Sequence, residues 1–184
     1  MSNTSTTIIA LAVSVILILI VPLGTMLNRN DNVTQESVKL IVEEFVTKVQ
    51  NTGKISRAQY QTFQNELAAT GNSYETEIEL HHLDENPGKK TSQANYTKIG
   101  ENVYYIEYTT QVLKQLGIKI DDQTVSDDND SIILKEGDMI YVNVKNNNST
   151  AAQTLQSSFL GYSNAGEYVI SASASGMITI NGSK

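Results

Sequence analysis

Residues able to do chemistry are sparse in this chain, and their spacing decides what each can do. His81 and His82 are adjacent within "SYETEIELHHL". Polar and apolar residues alternate there, the mark of a half-buried strand. Neighbouring side chains in a strand point to opposite faces, so the two imidazoles cannot share one metal ion. One histidine is expected at the surface and the other packed on a sheet face, with neither catalytic. Glu75, Glu77 and Glu79 share the face of His81. Such a row reads as a solvated strand face that discourages edge pairing, not as a cation site. Asp127, Asn129 and Ser131 have the first three ligand spacings of a calcium loop. The sixth position is Ile132 where glycine is needed, and the twelfth is Asp138, whose short arm hinders a bidentate clamp. An acidic surface loop over Asp121–Asp130 is expected instead. The sequence contains no glycine-rich phosphate cradle, nucleophile elbow or zinc signature. No catalytic, cofactor-binding or metal-ligating residue is assigned, no cofactor is expected, and the chain does not read as an enzyme.

The elements that would position any site begin with "IIALAVSVILILIVPLGTML", residues 8–27. This run carries no charge and is about 20 residues long, roughly the 30 Å hydrocarbon thickness of a bilayer. A cleaved secretion signal needs a basic lead and a small-x-small cut site. "MSNTSTT" has no Lys or Arg, and "PLGTMLNRNDN" offers no good cut site. Retention as a membrane anchor is therefore expected, with a kink at Pro22. Lys and Arg near the two ends of the run leave its orientation open. All 13 basic and 20 acidic residues follow Asn28, so the net charge of −7 lies wholly on the remainder. An acidic domain without a basic run repels phosphate backbones, and nucleic acid is not an expected partner.

Beyond the anchor, "DNVTQESVKLIVEEFVTKVQNTG" reads as a helix capped by Asn32 and closed by Gln35. Val38, Ile41, Val42, Phe45 and Val49 lie on one face, and Gly53 takes the left-handed position at its end. A second helix starts at a Ser56–Gln59 capping box, with Ile55 and Tyr60 as a hydrophobic staple. It buries Tyr60, Phe63 and Leu67 and ends at Gly71. A tight turn over Gly53–Ile55 would make the two a helical hairpin. A strand follows from Tyr74, then a loop over 84–100 and a strand in "NVYYIEY". Next come a short helix capped by Thr109 or Thr110, two strands around Glu136–Asp138, and a helix capped at Ser149. That last helix turns Ala152, Leu155 and Phe159 or Leu160 inward, and one or two final strands lie in "EYVISASASGMITING". The order predicts an α+β fold: a transmembrane helix over 1–28, a helical hairpin over 33–71, and a sheet-containing part over 73–184. The sheet is expected to be mostly antiparallel with short helices on one face.

The stretch Val38–Leu80, with weaker support from "EGDMIYVNVKN" and "SASASGMI", resembles the TadE-like group of Gram-positive single-span proteins that accompany Tad (Flp) type IV pilus machinery. The resemblance implies a non-enzymatic, pilin-like subunit with residues 29–184 outside the cytoplasm. It also implies a helix that packs with like subunits or other pilus or secretion components. The apolar run has no Glu and no preceding Gly. A minor or initiating subunit, or an unprocessed anchor, fits that better than a processed major pilin. The expected partners are the bilayer, through residues 8–27, and like helices, with Ala10 and Ser14 four apart as small packing residues. No small-molecule substrate is expected. A membrane-tethered binding module, recognising its partner through Asp121–Asp130, is the alternative.

Overall fold

In a computed structural model of the protein, residues 2–84, 104–118, 131–160 and 170–183 are described. The loop expected over 84–100 lies, apart from Asp84, outside them, as does the whole of Asp121–Asp130 with Asp127 and Asn129 of the rejected calcium loop.

One helix, α1 (Ser2–Thr52), runs unbroken for 51 residues with Pro22 inside it. Asn32 is therefore not an N-cap. The polar stretch "NRNDN" is read through as helix, because extending an existing helix avoids the cost of nucleating a new one. Gln35 finds a different use: its amide nitrogen donates to the Ser171 carbonyl, and its oxygen accepts from the Ser171 N–H at 2.9 Å.

After Gly53, at φ +62°, the chain does not turn directly into a second helix. It forms a short strand, β1 (Lys54–Ser56), before α2 (Arg57–Ala69). The capping box at α2 is complete: the Gln59 N–H donates to Ser56 Oγ at 3.1 Å, and the Ser56 N–H donates to Gln59 Oε1 at 2.8 Å. Ile55, Tyr60, Phe63 and Leu67 are buried, and the Phe45 and Phe63 rings stack with centroids 4.4 Å apart. α2 thus lies against the C-terminal half of α1.

The remaining elements are β2 (Tyr74–Leu83), β3 (Tyr104–Tyr108), α3 (Thr109–Gln115), β4 (Ser131–Ile133), β5 (Met139–Asn146), α4 (Ala151–Leu160) and β6 (Ser171–Met177). Four strands form an antiparallel sheet in the order β3-β2-β5-β6, while β1 and β4 pair separately. The two strands flanking Glu136–Asp138 therefore belong to different sheets and do not form a hairpin. Register in the larger sheet sets Ile78 opposite Val142 and Leu80 opposite Ile140. Both pairs are buried, as the period-two pattern requires. Their core is shared with Val38, Val42, Phe45, Val46 and Val49 of α1 and with Val112 and Leu116 around α3.

β6 is an edge strand, and α1 runs alongside it. Gln35 engages Ser171 at one end, and Gln50 donates to the Met177 carbonyl at 3.1 Å at the other. The spacing matches: 15 residues of helix rise about 22 Å, and six strand steps cover about 20 Å. Two glutamines on the helix thus satisfy backbone groups at both ends of an edge that would otherwise present them to another chain.

Two caps sit one residue from their expected place. At α3 the cap is Tyr108, whose N–H donates to Gln111 Oε1. The Thr109 hydroxyl is taken by the Ile78 backbone, accepting from its N–H at 2.7 Å and donating to its carbonyl at 3.2 Å. At α4 the cap is Thr150, which exchanges bonds with Gln153. Ala152 is buried there and Leu155 half-buried; of the two alternatives for the last inward position, Phe159 is exposed and the Leu160 side chain lies outside the described residues.

Burial of Tyr60 raises its phenol above the usual value near 10. Desolvation disfavours the charged phenolate, so the native state resists ionisation that the unfolded chain undergoes freely. Stability is expected to hold up to about pH 10 and to fall as pH rises from there through the raised native value. Denaturant midpoints measured across that range, with tyrosinate absorbance followed in parallel, check this. Tyr60→Phe should flatten the fall.

Candidate functional site

The feature that sets this chain apart is the free half of α1. Its most apolar 18-residue window has a mean hydropathy of 2.8, and none of that window is buried. Twelve large apolar side chains between Ile8 and Met26 are exposed. Burying one such side chain is worth about 1.5–3 kcal/mol. Even at half that, their sum matches the roughly 5–15 kcal/mol net stability of a typical domain. A rod of this kind is not left to water. α1 is long and apolar enough to cross a membrane.

The apolar face changes character along the helix. Ile20, Gly24 and Leu27 are half-buried while their neighbours are exposed, and Asp31, Thr34 and Val38 are buried. This spacing traces one stripe, the face that turns toward the rest of the protein. α4 covers part of it. A methyl group at Gly24 would stand 3.8 Å from Leu155 Cδ2. Gln156 Nε2 donates to Asn28 Oδ1 at 3.2 Å, and the buried Thr150 hydroxyl donates to Asp31 Oδ2 at 2.7 Å.

The polar residues singled out by sequence fall elsewhere. His81 and His82 point to opposite faces of the sheet. On the outer face His81 lies 3.3 Å from Glu79 and 4.6 Å, centroid to centroid, from the Tyr141 ring. The acidic row there is partly compensated, since Asn143 donates to Glu77 at 2.6 Å and Lys145 Nζ lies 3.5 Å away. A shallow depression of about 350 Å³ runs over Glu77, Glu79, Tyr141, Asn143 and Ser175.

His82 is held between two carboxylates. Its Nδ1 is 3.1 Å from Asp138 Oδ2, its Nε2 is 3.5 Å from Glu107 Oε2, and its ring stacks on Tyr105. The two carboxylates address different ring nitrogens, so the three side chains cannot close around one ion. Among the described residues no group of three or more potential metal ligands is found. Nε2 is enclosed and has no hydrogen-bond partner among the described residues. Asp138 is nearly wholly buried and also accepts from the Leu83 N–H at 2.8 Å and the Lys135 N–H at 2.9 Å. It therefore ties the end of β2 to the turn that starts β5. Sequence reading placed Asp138 at the end of a failed calcium loop and in a turn between two strands, and gave it no partner. Its place in a turn beside Gly137, at φ +94°, is the signal that points to this role.

Comparison with protein-family models, with curated proteins and with solved structures finds no match for the chain.

Proposed function

We propose that this chain is a non-enzymatic, membrane-anchored subunit of a pilin-like assembly. In this reading it is a minor pilin or pseudopilin-like component of a Tad-type pilus or related secretion or conjugation apparatus. The observation that carries the reading is the division of α1 into two halves without a linker. The N-terminal half exposes an apolar surface, on all sides over residues 3–19, and the C-terminal half is a buried wall of the α+β domain. A tether that only holds a module near a membrane needs a flexible joint or none in particular. A continuous helix instead fixes the position of the domain relative to the rod, which is what a subunit needs when neighbouring rods bundle and must place their domains in register. Such a bundle replaces lipid contacts with helix contacts, and Ala10 and Ser14 supply a small-residue face for close approach. The domain then faces outward from the cytoplasm, and the bilayer and like subunits are the partners.

The test is crosslinking in intact cells. The chain has no cysteine, so Ser14→Cys introduces the sole thiol. Oxidation should give self-adducts at Ser14→Cys and not at a cysteine placed at Ser173 on the outer sheet face. Adducts to a distinct membrane protein at Ser14→Cys would equally support assembly. Monomer alone at both positions sinks the assembly reading and leaves a solitary tether.

A further inference from the structure

We propose that α4 is a membrane-interface helix that lies along the outer end of the membrane span and inserts its exposed C-terminal end, led by Phe159, among the lipid headgroups. The inference rests on reading residues 8–27 as the span.

The argument is one of depth. α4 runs along α1 toward the N-terminus of α1: Thr150 bonds Asp31, Gln156 bonds Asn28, and Leu155 sits over Gly24. The face of α1 on this side is half-buried at Leu27, Gly24 and Ile20. From Leu27 back to Ile20 the helix rises about 10 Å. If residues 8–27 cross the hydrocarbon, the covered stretch is its last two-fifths. Whatever packs there lies within the interface and not above it. Phe159, one turn beyond Leu155, reaches deeper still.

The composition of α4 agrees with that address. "AAQTLQSSFL" contains no charged residue, and it lies in a stretch, 146–183, whose one charged residue is Glu167. Its hydroxyl side chains turn back on its own backbone: Ser157 and Ser158 both donate to the Thr154 carbonyl, at 3.0 and 2.8 Å. Polar atoms satisfied in this way do not need water. Phe159 is 58% exposed, and aromatic side chains are favoured at headgroup level. An open groove of about 540 Å³ between α4 and Leu27 is lined by Ala151, Leu155 and Phe159 with Thr154 and Ser158, a surface suited to lipid chains. The buried Thr150–Asp31 bond marks the upper limit, where the first carboxylate of the chain is paired inside protein.

The experiment again uses the absence of cysteine. Full-length Phe159→Cys, Leu17→Cys and Ser173→Cys proteins, each carrying an environment-sensitive fluorophore, are reconstituted in phosphatidylcholine–phosphatidylglycerol vesicles. Ser158→Cys serves as a second reporter on α4. The expected result at 159 is blue-shifted emission, lost when nitroxide lipids are labelled near the headgroup and spared when they are labelled at the bilayer centre. Position 17 should show the reverse quenching, and position 173 neither. Water-like emission at both 159 and 158, with 17 lipid-embedded, overturns the inference and leaves the span intact. Water-like emission at 17 overturns the span reading and the inference with it.

Discussion

Replacing Val15 and Ile18 together by arginine is expected to release the protein from the membrane while leaving its domain folded. Both residues lie near the middle of the apolar run and both are exposed, so no protein contact is lost. Each arginine at the centre of a span costs about 2.5–3.5 kcal/mol of insertion. Two bring roughly 5–7 kcal/mol, on the order of a 10⁴-fold loss of membrane partition. Carbonate-washed membranes should lose the variant, while its melting temperature in detergent should match that of the parent. The two readouts separate the rod from the domain. Retention in washed membranes means that another segment, with α4 the first suspect, holds the protein there. A lowered melting temperature means that residues 3–19 support the core, which their exposure denies.

The contrast between what sequence reveals and what it hides follows the range of each interaction. Local chemistry was legible. The Ser56–Gln59 capping box, the buried stripe Tyr60, Phe63 and Leu67, and the alternation in β2 and β5 depend on residues a few positions apart, and all are present. Competition with distant groups was not legible. Asn32 and Gln35 carry the pattern of a helix start, yet the helix runs through them, and Gln35 is engaged by Ser171 far along the chain. Thr109 is a good cap by type, but its hydroxyl serves Ile78. Pairing of β2 with β5, which joins Tyr74 to Asn146, leaves no local trace, and with it the meeting of His82 and Asp138 was hidden. For the candidate site, the apolar run was fully visible from composition. The packing of α4 against its end was not, because nothing in "AAQTLQSSFL" names Gly24 as its neighbour.

Gly53→Ala is expected to damage the domain severely, and a matched glycine shows why. Gly53 and Gly71 both follow a helix, and both have left-handed backbones, at φ +62° and +85°. At Gly71 an added Cβ meets nothing within 4 Å. Alanine there should cost only the conformational penalty of a side chain in that region, about 1 kcal/mol. At Gly53 the same Cβ would stand 2.5 Å from the Gly182 nitrogen and closer still to the Ile180 carbonyl oxygen. These are backbone atoms of the C-terminal tail and cannot swing aside as a side chain would. Three segments meet at this point: the Leu134 N–H donates to the Gly53 carbonyl at 2.8 Å, and the Gly182 N–H donates to the Leu134 carbonyl at 2.9 Å. Relieving the clash means displacing the tail and weakening the junction of α1, β1 and β4. Steric overpacking adds about 1–3 kcal/mol to the conformational cost, for a total of roughly 3 kcal/mol and a melting temperature lower by roughly 10 °C in a domain of this size. Thermal unfolding of the two variants side by side gives the difference. Equal shifts would show that the tail yields without resistance, and the close packing of Gly53 against Gly182 would then have no part in holding the end of the long helix to the domain.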